Sequence, residues 1–299
     1  MSWQLEFMSA QQRLLLKPLL SKCDGPMSAR KGMDLMAGLV FRHPPLLRQY
    51  LRDQNLHWFA CGRCKPGKAI LYFHGGGYVA GSPETHTGML GRLSQLSELE
   101  VCAPDYRLAP EAIAPAAFED CLAAWDALMA QGFAPKDVII GGDSAGGGLA
   151  VAGLSELCNR GTLPAGAFAF SPVVDFTMQS ESLQRNKDSE AILPSELFEA
   201  LADIILAGFD ASDPRISPIF GTFPECCPVL IQYSDSEILQ DDALRMCDRL
   251  RDFGARVEMQ VEAGAPHVWQ LLDGWVPEAR ASLKQVAKFA QDSLAETRR

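Results

Sequence analysis

The sequence predicts an α/β protein with a mainly parallel central sheet and helices on both of its faces. Strand-like and helix-like runs alternate along most of the 299 residues, as they do in chains that cross over between parallel strands. Hydrophobic residues make up 47% and charged residues 21%, an ordinary globular balance, and a chain of this length can bury a sizeable core. The stretch Val138–Gly153 also passes directly from a buried strand, through a tight glycine-lined turn, into a helix.

The first twenty residues, MSWQLEFMSAQQRLLLKPLL, read as an amphipathic helix with Leu5, Met8, Leu15, Leu16 and Leu19 on one face. They show no basic leader region, long apolar core or small-residue cleavage site, so a cytoplasmic protein is expected. Strands are expected at Leu56–Ala60, Ala69–Phe73, Val101–Pro104, Val138–Ile140, Ala167–Phe170, Val229–Tyr233 and Arg256–Val261. Each is rich in the β-branched, aromatic or small apolar residues that suit a buried strand. The first two, separated by a Gly/Pro turn, are expected to form an antiparallel hairpin at the sheet's early edge. Helices are expected near 86–98, 115–131, 145–159, 195–208, 240–253 and 277–296. No Ser/Gly-rich linker divides the chain, so a single domain over 1–299 is expected. Residues 1 to about 45 and about 178–208 fall least into the alternation.

A formal net charge of −10 disfavours nucleic acid and anionic membranes as partners, and no run of 18 apolar residues calls for a membrane span. Nine cysteines without a repeated framework fit a reducing compartment. Cys61-Gly62-Arg63-Cys64 is a C-x-x-C, but no second ligand pair completes a metal site. No metal or organic cofactor is called for.

Gly142-Asp143-Ser144-Ala145-Gly146 matches G-x-S-x-G, the turn that exposes a nucleophilic serine between a strand and a helix. A phosphate cradle is the competing reading, yet no lysine lies between Lys136 and Lys187 and no G-x-G-x-x-G occurs in the turn. A plain packing turn stays open on this motif alone. A serine hydroxyl needs a base, and the base an orienting carboxylate, in the chain order Ser, acid, His. Of the five histidines, only His267 follows Ser144. The acid should follow Val229–Tyr233, where Asp235, Glu237, Asp241 and Asp242 compete. Asp241 and Asp242 suit the first turn of a helix for dipole reasons alone, which leaves Asp235 and Glu237. His74-Gly75-Gly76-Gly77 follows a strand and is a glycine-rich loop of the kind that offers backbone N–H groups to an oxyanion.

Taken together, HGGGYVAGSPETH (74–86), DYRLAPE (105–111), GDSAGGGLA (142–150), SPVVD (171–175), DPRISP (213–218), EILQDD (237–242) and PHVWQ (266–270) resemble the hormone-sensitive-lipase-like, bacterial family IV carboxylesterases of the α/β-hydrolase fold. That resemblance implies Ser144 as nucleophile, His267 as base, and the amides of Gly76, Gly77 and Ala145 as oxyanion hole. It places Glu237 at the acid position, where the commonest family pattern has Asp, with Asp235 as the alternative. It gives His74, Asp105-Tyr106-Arg107 and Asp175 bracing roles. It also implies a small helical cap from 1–45 and 178–208. The expected activity is hydrolysis of short- to medium-chain esters. Lactone, amide or carbamate hydrolysis by the same residues is the alternative. The fold also serves as a non-catalytic small-molecule receptor, as in the plant gibberellin receptor, but that use goes with loss of the histidine retained here as His267. The oligomeric state is left open by the sequence, with an edge strand or the last helix (277–296) as the surface that could support a homodimer.

Overall fold

A computed structural model describes residues 1–22, 25–52 and 56–296. Eight strands form one sheet: β1 (Leu47–Arg52), β2 (Leu56–Cys61), β3 (Ala69–Phe73), β4 (Glu100–Pro104), β5 (Val138–Asp143), β6 (Gly166–Phe170), β7 (Val229–Ser234) and β8 (Val257–Glu262). Their order is β1-β2-β4-β3-β5-β6-β7-β8. From β4 to β8 every neighbouring pair is parallel, while β2 runs antiparallel to both β1 and β4.

Side-chain alternation along the strands feeds two cores. In β3, Ala69, Leu71 and Phe73 enter one core, which includes buried residues of helices Ala116–Ala130, Ser144–Arg160 and Gln240–Asp252. Ile70 and Tyr72 enter the other, with residues of Thr87–Ser97 and Pro277–Glu296. The central strands are therefore apolar on both faces, as parallel strands between helix layers must be.

The expected hairpin between Leu56–Ala60 and Ala69–Phe73 is not formed. β2 pairs instead with β1 and β4, and β3 crosses over to lie between β4 and β5. All five residues of β3 are buried, which suits a central position better than an edge. The edge is taken by β1, which was not anticipated. Its sequence, LRQYLR, is half polar and half exposed, as an edge strand can be.

The N-terminal stripe also differs. The helix Trp3–Gln11 gives way to a π-helical turn over Gln12–Leu16, where Lys17 N–H reaches back to Gln12 O. Pro18 follows and can donate no backbone bond. The wider turn changes the phase of the helix, so Leu5 is buried while Leu15 and Leu19 face outward. Among the described residues, no helix is long and apolar enough to cross a membrane.

Candidate active site

β5 ends in the sharp turn that the glycines foretell. Ser144 has a φ of 53°, a left-handed conformation that costs a non-glycine residue about 1–2 kcal/mol. It opens the helix Ser144–Arg160 directly from the strand. Close packing requires the two flanking glycines. A Cβ on Gly142 would stand 2.2 Å from Gly146 O, and one on Gly146 would stand 2.1 Å from Phe73 O.

Three side chains from separate loops meet at this turn. Ser144 Oγ lies 2.9 Å from His267 Nε2, and His267 Nδ1 lies 2.7 Å from Glu237 Oε2. The other oxygen of Glu237 accepts Ser234 N–H at 2.9 Å. Glu237 is 1% exposed and His267 7% exposed. Burial works against a charge on His267, but the hydrogen bond and negative charge of Glu237, with help from Glu190 and Asp143, leave its pKa above the ordinary 6.5. The serine hydroxyl thus has a basic nitrogen within hydrogen-bonding reach, and that nitrogen's ring has a carboxylate behind it.

The other acids of the loop lie elsewhere. Asp235 is exposed and accepts Gly264 N–H at 2.8 Å, tying the acid loop to the loop that carries His267. Asp241 accepts Ser182 N–H and pairs with Arg185. Asp242 is buried and accepts the Val174 and Asp175 amides. Burial pushes its carboxyl pKa up to about 6.

Beside the serine stands the loop after β3. Gly76 and Gly77 have φ values of 123° and 61°, and a Cβ on Gly76 would stand 2.1 Å from Ala80 O. Among the described residues, neither glycine's N–H donates a hydrogen bond. Ala145 is the second residue of its helix, where amides have no intrahelical acceptor. His74 is buried, its ring stacked on Tyr106 with centroids 4.1 Å apart. Tyr106 donates to His74 O at 2.7 Å, and His74 Nδ1–H donates to Gly75 O at 2.8 Å. Burial holds the His74 pKa down at about 3, so the ring is neutral at physiological pH. Arg107 pairs with Asp120, and Asp175 with Arg245.

Sequence reasoning missed Asp143. Its buried carboxylate accepts Gly75 N–H at 2.9 Å and Tyr72 O–H at 2.7 Å, and it lies 3.3 Å from His86 Nε2. The residue before the serine therefore anchors the glycine loop. The signal was an ionisable side chain at the end of an otherwise apolar strand. Gly75 leaves it room, for a Cβ there would stand 2.1 Å from Asp143 Oδ2.

The sheet order and the strand–serine–helix turn define an α/β hydrolase, and a family model described as alpha/beta hydrolase fold matches residues 70–271. An esterase of Acinetobacter venetianus is 34% identical over 223 residues, 74% of each chain. An acetyl-hydrolase of Streptomyces hygroscopicus is 36% identical over 231 residues, 77% of each chain. The crystal structure of an esterase from the bacterial hormone-sensitive lipase family superposes with a TM-score of 0.92 at 30% identity, covering 98% of this chain and 99% of that one. The chain belongs to the hormone-sensitive-lipase-like esterases of the α/β-hydrolase fold, and it is a carboxylic ester hydrolase.

Proposed function

We propose that this chain hydrolyses short- to medium-chain carboxylic esters through a triad of Ser144, His267 and Glu237, with the amides of Gly76, Gly77 and Ala145 as oxyanion hole. The observation that carries the reading is the unbroken hydrogen-bonded path from Ser144 Oγ through both imidazole nitrogens to Glu237. Ser144 Oγ attacks the ester carbonyl carbon as its proton passes to His267 Nε2. The three amides receive the negative oxygen of the tetrahedral intermediate. His267 then returns the proton to the departing alkoxide, leaving an acyl-serine and a free alcohol. Water, deprotonated by the same imidazole, attacks the acyl group, and the acid departs as Ser144 regains its proton.

Residues 1–45 and 178–208 are assigned to a cap over this site on one α/β-hydrolase domain. Both segments touch its loops. Arg30 donates to Val79 O at 2.8 Å, next to the glycine loop. On the helix Ser195–Leu206, the Leu201 side chain stands 3.3 Å from where a Cβ on Gly77 would be.

A cap this small is expected to leave room for only a short acyl chain. Each added CH₂ gains about 0.8 kcal/mol only while there is room to bury it. Beyond that length, the carbonyl loses its alignment with the oxyanion amides. For p-nitrophenyl esters, kcat/KM is expected to peak at an acyl chain of about two to eight carbons and then fall steeply. The series from acetate to palmitate, run beside emulsified triolein, tests this. A peak at palmitate, or a jump in rate as triolein passes its solubility limit, would mean a true lipase.

The base works only when neutral. Because the folded protein raises the His267 pKa, kcat/KM is expected to fall with decreasing pH through a midpoint above 6.5. A midpoint well below that value would show that the imidazole does not feel Glu237.

A further inference from the structure

A second buried carboxylate stands beside the proposed triad, and the reaction as written does not use it. Glu190 lies in the excursion between β6 and β7 and is 1% exposed. No lysine or arginine among the described residues forms an ion pair with it. A buried carboxylate without a cation is costly unless its oxygens are hydrogen-bonded. Here they are met by backbone amides. Oε1 accepts Ile192 N–H at 2.8 Å and Leu193 N–H at 3.3 Å, while Oε2 accepts Ile238 N–H at 3.1 Å.

Two of those amides belong to the excursion itself, and the third immediately follows Glu237. The neighbours of Glu190 do the same work on the same loop. Asn186 Nδ2 donates to Glu237 O at 2.9 Å and to Asp235 O at 3.3 Å. Ser189 Oγ donates to Ser236 O at 2.9 Å, and Ser182 Oγ to Ile238 O at 2.6 Å. Each residue from Asp235 to Ile238 thus gives a backbone group to a side chain between 182 and 190. Among these four side chains, only Glu190 is ionisable and only it accepts an N–H from residues 235–238; Ser182 Oγ accepts Asp241 N–H, which lies in the helix that follows. The excursion is fastened in turn to the N-terminal segment, where Lys17 Nζ donates to Lys187 O and Glu190 O, and Arg13 to Ser189 O.

We propose that Glu190 is a positioning residue for the triad: by accepting Ile238 N–H it pins the acid loop to the excursion and holds Glu237 against His267. This rests on Glu237 being the triad acid. A loop of five residues (235–239) outside the sheet and helix ladders has few bonds of its own to fix it, and misplacing a reacting group by about 1 Å can cost about a hundredfold in rate. Glu190 also adds charge. The ionisable groups facing His267 are Glu237, Glu190 and Asp143, all favouring the imidazolium. Burial raises the Glu190 pKa above the ordinary carboxylate value and Glu237 adds to this, while His267 and the Ile192 and Ile238 amides favour its charged form.

The test compares Glu190→Gln, Glu190→Asp and Glu237→Gln with the wild type, following kcat, KM and the acidic limb of kcat/KM on p-nitrophenyl butyrate. Glu190→Gln is expected to lower kcat about tenfold to a hundredfold with KM within about twofold. Loss of one negative charge lowers the imidazole pKa, so the acidic limb should move to lower pH. Glu190→Asp keeps the charge and shortens the reach. It should lower kcat while leaving the limb in place, and it carries the test if the Gln variant does not fold. A Glu190→Gln protein with wild-type kcat overturns the proposal. So does one whose kcat falls only in step with its folded fraction while the limb stays put. Wild-type rates in Glu237→Gln would withdraw the triad acid instead, and the positioning role with it.

Discussion

Replacing Ser144 by alanine is expected to lower kcat on short esters about a million-fold, the scale on which triad serines act. On the proposed mechanism, what is lost is the atom that forms the acyl-enzyme, so the proposed base His267 and oxyanion amides are left without a nucleophile to serve. The fold should scarcely register the change. The left-handed turn is maintained by Gly142, Gly146 and the strand behind them, and alanine has nearly the size of serine. A thermal midpoint within a few degrees of wild type, measured alongside kcat, separates loss of chemistry from loss of structure. Activity within tenfold of wild type would remove Ser144 from its role.

Glu237→Gln is expected to cost about ten-thousand-fold in kcat, with Asp235→Asn costing far less. Glutamine fills the same space, and its carbonyl can still accept Ser234 N–H. Its NH₂ group would then face His267 Nδ1, a donor where an acceptor stood. That forces the ring proton onto Nε2, which then points a hydrogen at Ser144 instead of a lone pair. The imidazolium formed during attack also loses its counter-charge. Asp235 performs no such service, since it is exposed and tied to the Gly264 amide. Steady-state kinetics of both variants decide the matter. The reverse ranking would mean that Asp235 is the acid.

Most of this arrangement was legible because chain order leaves little freedom. With a single histidine after Ser144, the proposed base could be named without tertiary knowledge, and Gly76 and Gly77 stood after a strand as the proposed oxyanion loop requires. The acid was harder. Asp235 and Glu237 are two residues apart in a loop with no regular period, so residue types alone left both open; the family resemblance pointed to Glu237, and the path of the loop leaves Asp235 exposed and Glu237 buried. Asp143 and Glu190 were invisible for a related reason. Each acts on a backbone amide far away in sequence, 68 and 48 residues respectively, and amides carry no sequence signature. In the fold, the alternation of strands and helices was plain, but pairing was not. The apolar run of β3 fits a buried strand wherever it lies, and the turn before it suggested a hairpin that the parallel crossover overrides. β1 escaped notice because an edge strand such as LRQYLR need not be apolar. At the N-terminus, a single helical phase was assumed across Pro18, and the π-helical turn breaks it.

The most direct measurement of the central claim is covalent labelling with a fluorophosphonate, followed by intact mass and peptide mapping. Wild-type protein is expected to carry a single adduct on the peptide containing Ser144. Its formation should slow as pH falls through the His267 midpoint, and Ser144→Ala should carry none. An adduct mapped to another residue, or labelling that persists in Ser144→Ala, would contradict the assignment of Ser144 as the activated nucleophile of this fold.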